Sequence, residues 1–177
     1  GISLRFSPVK ETMLEAMRLC NEKRKIVSFD LNLRSELWGF SESFKETVLE
    51  AVSYSSIVFG NLHEEFLLIY DGNEDTLDKH ISEKQTFICR DGHNGALGIT
   101  NKDKVISNAI PISPVDSVGA GDAFNTGFIY ASCCGKDIEE SLDIGNQVAA
   151  FKLLGSGARH LPTKELLDDF NKKYQIN

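Results

Sequence analysis

The chain has 177 residues, 41% of them hydrophobic, and a formal net charge of −7. That length and apolar content suit one folded domain with a substantial core and exclude a disordered chain. The acidic balance disfavours a sequence-independent grip on nucleic acid, and no apolar run approaches the roughly 20 residues of a bilayer span, so neither nucleic acid nor membrane is expected as a partner.

From Lys10 to Lys25 the apolar residues Met13, Leu14, Met17 and Cys20 fall three or four apart, which predicts an amphipathic helix with its charges outward. The run Ile26 to Asp30 (IVSFD) reads as a buried strand. A second helix follows with Phe44, Val48 and Val52 on one stripe, then a strand at Ser56 to Gly60 (SIVFG). A helix carrying HEEFLLIY, a turn at Asp71-Gly72 and a charged helical stretch lead to a third apolar run, Thr86 to Arg90 (TFICR). Three short apolar runs about thirty residues apart with helices between them have the spacing of β-α-β crossovers in a parallel sheet. ALGIT and VISN, separated by Asn101 to Lys104, predict an antiparallel hairpin at the sheet edge. Helices are then expected from about Ala120 to Cys134, from Asp137 to the GSG of Gly155 to Gly157, and after a Thr163 N-cap, with Leu166, Leu167 and Phe170 facing inward. The reading is one α/β domain.

In parallel sheets ligands gather at the carboxyl ends of the strands. Here those ends are Asp30-Leu-Asn-Leu-Arg34, Asn61-Leu-His-Glu64 and Arg90-Asp-Gly-His-Asn-Gly95, all polar or glycine-bearing. Cys20, Cys89, Cys133 and Cys134 have no C-x-x-C or Cys/His spacing of the zinc kind, so buried or idle thiols in a reducing cytoplasm are expected rather than a metal site or disulfides. No charged-then-apolar signal segment opens the chain, which agrees with a cytoplasmic location.

The stretch DSVGAGDAF, Asp116 to Phe124, places two glycines at the start of a helix. Backbone N–H groups there have no partner inside the helix and sit at the positive end of its dipole, so Gly119, Ala120 and Gly121 could present amides to a phosphate or an oxyanion. Asp122 among those donors is compatible with a plain helix cap. It is equally compatible with a base that takes the proton from an attacking hydroxyl while the amides stabilise a moving phosphoryl group. A dinucleotide fingerprint would need glycine where Phe124 stands, and no G-x-x-x-x-G-K-[ST] occurs.

DSVGAGDAFNTGF resembles the D-T-x-G-A-G-D-x-F signature of the ribokinase-like, PfkB-type carbohydrate kinases. FDLNLRSELW is similar to the D-x-N-x-R…L-W segment of the branch holding 2-keto-3-deoxygluconate kinases and fructokinases, Asn61-x-x-Glu64 matches N-x-x-E, and the opening GISL…SP looks like that branch. The resemblance implies a three-layer α/β/α fold with a mostly parallel central sheet and an antiparallel edge hairpin. It further implies transfer of a phosphoryl group from ATP to a hydroxyl of a sugar or sugar acid, assisted by Mg²⁺. By position, Asp122 would be the catalytic base and the amides of Gly119, Ala120, Gly121 and Asp122 the anion hole. Glu64 and Asn61 would organise hydrated Mg²⁺ and the phosphates. Asn32 and Arg34 would reach the phosphates, with Arg34 also suited to a sugar-acid carboxylate. Arg90, Gly92 and Gly95 would lie along the nucleotide and Asn146 near the adenine. A monovalent cation, K⁺, would place Asp116 and the Ser156-Gly157 turn beside it, although the signature's usual Thr is Ser117 here.

Each assignment has a structural rival: Arg34 as a surface ion-pair partner, Glu64 as a first-turn helix carboxylate, Asn146 as a polar helix residue, Gly92 and Gly95 as turn formers. Trp38 reads as packing, and His63, His80, His93 and His160 as incidental. The chain starts without methionine and looks like the carboxyl-terminal, nucleotide-side part of such a kinase, spanning 1–177, with the amino-terminal half and β lid absent. As such a part it is expected to bind nucleotide weakly and phosphorylate poorly, and to associate with itself or with the missing half through apolar strand edges. Fructokinase activity is the nearest alternative, and a non-catalytic nucleotide- or partner-binding module the alternative of another class.

Overall fold

A computed structural model describes residues 1–70 and 72–176. Asp71 of the expected Asp71-Gly72 turn lies outside the described residues. The chain divides into two compact units, Gly1–Arg90 with Ile99–Lys104, and Asp91–Gly98 with Val105–Asn177.

In the first unit the three apolar runs become β1 (Ser28–Asp30), β2 (Ile57–Asn61) and β3 (Thr86–Arg90). β1 pairs parallel with β2 in the register Phe29 to Val58, and β2 pairs parallel with β3 in the register Phe59 to Ile88. Val58, Phe59, Phe87, Ile88 and Cys89 are all buried, as strands covered on both faces require, which is why the runs are continuously apolar rather than alternating. β1 is shorter than the apolar run suggests: Ile26 is 79% exposed and lies before the first paired residue. The helix α1 (Val9–Glu22) buries Met17, while Met13 and Cys20 of the same expected stripe are exposed. Its outward charges pair along the helix, Arg18 with Glu15 at 2.7 Å and with Glu22. A short helix α2 (Ser35–Trp38) precedes α3 (Glu42–Ser53), whose Phe44, Val48 and Val52 are buried as the 3.6 period demands. Instead of one helix through HEEFLLIY, a π-helical turn at Leu62–Phe66 runs into a single turn α4 (Leu67–Ile69). The charged stretch is helical as expected, in 3₁₀ form over Glu74–His80.

β4 (Ala96–Ile99) and β5 (Lys104–Ser107), of which Ile99–Lys104 is counted with the first unit and the rest with the second, are neighbours joined by four residues, a connection short enough only for an antiparallel pair. Next come α5 (Ala120–Cys133), α6 (Ile138–Leu153) and α7 (Lys164–Tyr174). Asp137 starts α6 with a capping box, accepting from the Glu140 N–H while Glu140 accepts from the Asp137 N–H, and Thr163 caps α7 by accepting from the Leu166 N–H. Phe170 is buried but Leu166 is 49% exposed, so α7 docks by a narrower stripe than its three apolar residues suggest.

α5 and α6 approach closely because small residues line the contact. A Cβ added at Gly127 would stand 2.9 Å from the Ile144 carbonyl oxygen, and one at Gly145 would stand 2.9 Å from the Phe124 ring. Gly127→Ala therefore has to push the two helices apart against backbone. A loss of about 1–3 kcal/mol is expected, read as a lower midpoint in chemical denaturation.

Candidate functional site

Polar groups collect at the carboxyl ends of the three parallel strands in the first unit. Arg90, closing β3, donates through both terminal nitrogens to the two carboxylate oxygens of Asp30, which closes β1, each at 3.0 Å. The Arg90 side chain is 17% exposed, and its guanidinium also lies 3.8 Å from Glu65. Glu65 is the hub that sequence reasoning missed. Its Oε1 accepts from the Leu33 N–H at 2.6 Å and its Oε2 from the Asn61 N–H at 2.7 Å, which ties the segment after β1 to the end of β2. The signal was present: Glu65 follows Asn61 by four residues, on the same inward face of the turn as Phe66 and next to the apolar FLLI run.

Leu33 is held from its other side too. Arg5 donates to the Leu33 carbonyl at 2.8 Å and to the Gly39 carbonyl at 2.9 Å, and its guanidinium stacks 3.8 Å over the Phe44 ring. With Leu31 and Leu33 fully buried, the residues flanking Leu33 take the strained geometry. Asn32 has φ +37° and Arg34 φ +52°, both in the left-handed region that non-glycine residues seldom enter. Such strain persists only where surrounding contacts over-determine it, and it clusters at ligand-binding sites. Arg34 is exposed and Asn32 half-buried. Asn61 caps the turn that follows it by accepting from the Glu64 N–H at 2.9 Å, so its Oδ1 is engaged while the Glu64 carboxylate is exposed.

Burial pushes the Glu65 carboxyl above its ordinary 4.5, against the pull of its two N–H donors and Arg90. Asp116, in the second unit, is held below its ordinary 3.8 by the N–H groups of Val118 and Gly157. The two act oppositely on stability. The Glu65 contribution is complete below pH 4.5 and is lost as pH rises through its raised folded value, whereas that of Asp116 is complete above pH 3.8 and is lost as pH falls through its lowered value. Carboxyl ¹³C titration should show Glu65 still partly protonated at a pH where Asp116 is wholly ionised.

The glycine stretch lies in the second unit. Gly119 is the N-cap of α5 at φ +82°, and a Cβ there would come within 3.0 Å of the Ala158 Cβ, so both conformation and space call for glycine. The amides at this helix head are not equivalent. The Ala120 N–H donates to the Ser117 carbonyl at 3.1 Å in a tight turn, whereas the Gly119, Gly121 and Asp122 N–H groups have no protein acceptor among the described residues. The expectation of three consecutive presented amides thus narrows, because the turn that forms the cap uses one of them. Asp122 is exposed, on the first turn of α5.

Asp116 fastens the base of this turn. Its Oδ1 accepts from the Val118 N–H at 2.9 Å and its Oδ2 from the Gly157 N–H at 2.7 Å. Its carbonyl oxygen accepts from Lys152 Nζ at 2.6 Å, and Lys152 is 0% exposed. Asn146 is also buried, and its amide donates to the Ser107 hydroxyl at 2.8 Å and to the Ser107 and Asn108 carbonyls at 3.2 Å, tying α6 to the end of β5. Gly95, at φ +104°, packs against the same segment: an added Cβ would lie 2.1 Å from the Ser107 carbonyl oxygen. Gly92, at φ +56°, faces open space. Arg90, Gly95 and Asn146 each therefore have a structural reason to be what they are.

The cysteines form no disulfide. Cys89 is buried, which pushes its thiol up, and Cys20, Cys133 and Cys134 are exposed. No helix among the described residues is long and apolar enough to cross a membrane.

Residues 3–165 match the model of the pfkB family carbohydrate kinases. The chain is 26% identical over 181 residues to 5-dehydro-2-deoxygluconokinase of Clostridium perfringens, covering 98% of this chain and 54% of the relative. Among the solved structures that share its fold, two examples are 27% identical over 96% of this chain. One is aminoimidazole riboside kinase from Salmonella enterica, complexed with aminoimidazole riboside and an ATP analog, at TM-score 0.83 over 60% of that chain. The other is a fructokinase double mutant from Vibrio cholerae in a fructose-, ADP- and potassium-bound form, at TM-score 0.85 over 57% of that chain. The chain spans about half the length of the curated relatives it matches. Its fold is ribokinase-like α/β, and with the family model covering nearly its full length, this chain belongs to the pfkB family of carbohydrate kinases.

Proposed function

We propose that the protein phosphorylates a hydroxyl of a sugar or sugar acid from ATP, with a 2-keto-3-deoxy- or dehydro-deoxygluconate type of acid as the acceptor class. The observation that carries this reading is the head of α5, where two amides lacking a protein acceptor share one helical turn with the exposed carboxylate of Asp122. In this reading Asp122 takes the proton of the attacking hydroxyl, and the Gly121 and Asp122 N–H groups, with the helix dipole behind them, hold the oxygens of the transferring phosphoryl group. Ala120 contributes by forming the turn. Asn32 and Arg34, held out by the contacts of Leu33, bind phosphate oxygens, and Arg34 also suits the carboxylate of a sugar acid. Mg²⁺ would supply charge neutralisation at the phosphates. The exposed Glu64 fits it through water, since the ion favours oxygen ligands and keeps much of its hydration. Arg90 and Asn146 act on the nucleotide side as supports of the loops they tie.

Fructose is the nearest alternative acceptor, because a fructokinase is among the solved structures sharing this fold. Coupled assays of the full-length protein with 2-keto-3-deoxygluconate, 5-dehydro-2-deoxygluconate, fructose and a riboside test the reading. Turnover confined to the riboside would overturn the sugar-acid assignment. Arg34→Ala separates the first two acceptors from fructose: it should raise KM for the acids about tenfold or more, the loss of one charge-assisted contact, and affect fructose less.

A further inference from the structure

The residues beside the glycine turn do not fit a bound monovalent cation as they stand. Both carboxylate oxygens of Asp116 accept from backbone N–H groups, of Val118 and Gly157, and its carbonyl oxygen is occupied by a lysine ammonium 2.6 Å away. Oxygens of this kind are what a desolvated K⁺ would need. That lysine, Lys152, sits on α6 within the apolar run VAAFKLL and is fully buried, an arrangement a chain rarely tolerates unless the charge is paired. Asp116 supplies the partner, since its carbonyl oxygen accepts from the ammonium. The neighbouring backbone closes the same corner, with the Val115 N–H donating to the Leu153 carbonyl at 2.7 Å.

We propose that the Lys152 ammonium is a built-in monovalent cation, occupying the place beside Asp116 so that this protein requires no K⁺. It carries the same unit charge, donates where an ion would be ligated, and is tethered, so no ion has to be recruited. Its work is to fix the Asp116 carbonyl and, through it, the turn that presents the Gly121 and Asp122 amides. Lys152 is a positioning residue in this scheme and touches no substrate. The inference rests on the kinase reading for its purpose but not for its test.

The first measurement is the thermal midpoint in KCl against choline chloride, both at about 0.1 M so that screening is equal, together with ²⁰⁵Tl⁺ binding by NMR. Wild-type protein should show no K⁺-specific shift and no bound Tl⁺. Lys152→Ala, which vacates the corner, should gain both: bound Tl⁺ displaced by K⁺, and a midpoint at least about 2 °C higher in KCl. Lys152→Met, which keeps the volume while removing the charge, should show a smaller gain in the same direction. A variant that folds only in KCl also supports the proposal. Bound Tl⁺ in the wild type overturns it, as do variants that fold in choline yet gain no K⁺ response, or that fold in neither salt; either result would make Lys152 a structural tie alone. Phosphoryl transfer by the full-length protein in the two salts separates this inference from the kinase reading. Equal rates sustain both, a rate present only in KCl removes the inference and leaves the kinase, and no rate in either salt removes the kinase while the thermal and Tl⁺ results still decide the lysine.

Discussion

Replacing Asp122 by asparagine in the full-length protein is expected to lower kcat by about a hundredfold to ten-thousandfold, the range a general base contributes, with ATP affinity nearly unchanged. Asparagine keeps the shape and leaves the backbone contact intact, since Thr126 donates its hydroxyl to the Asp122 carbonyl, not to the carboxylate. What it removes is the proton acceptor. The carboxylate is exposed and makes no side-chain hydrogen bond among the described residues, so the fold has little to lose. A thermal midpoint within about 2 °C of wild type would show that the loss is chemical. Unchanged turnover would remove Asp122 from the mechanism and with it the reason for placing an acid among anion-binding amides.

The second large effect is expected at Glu65, and it is one of stability. Glu65→Ala leaves the Leu33 and Asn61 N–H groups without acceptors and takes from Arg90 the carboxylate that lies 3.8 Å from its guanidinium. Truncating one member of a buried charged cluster costs about 3–5 kcal/mol, more than the surface pair of Arg18 and Glu15 could contribute by several fold. Glu65→Gln should cost less, because one amide oxygen still accepts while the NH₂ faces an N–H that it cannot satisfy. Denaturant unfolding of both variants measures the difference. Local consequences follow as well. Leu33 is pinned between Glu65 and Arg5, so freeing it relaxes Asn32 and Arg34 out of their positive-φ geometry. Phosphate affinity in Glu65→Gln should therefore fall even though Glu65 itself touches no phosphate in the proposed reading. A variant that is destabilised but binds ATP as tightly as wild type would show that the geometry of Asn32 and Arg34 is incidental.

The order of secondary elements was legible from the residues because the physics that sets it is local. The Phe44, Val48 and Val52 stripe, the apolar runs of β2 and β3 and the Thr163 cap all act within a few residues, and each appears where its pattern stands. So too the start of α5 at the glycine stretch, where Gly119 takes the left-handed N-cap position. What the residues could not disclose was which polar groups would be consumed by the fold itself. Arg90, Asn146 and the Ala120 amide all read as free to meet a ligand, and each is engaged by a partner that sequence distance hides, Asp30 sixty residues away in the first case. Glu65 and Lys152 drew no notice for the converse reason. A carboxylate and an ammonium look like surface groups until packing removes them from water, and only then does each need a partner and become able to hold a loop in place.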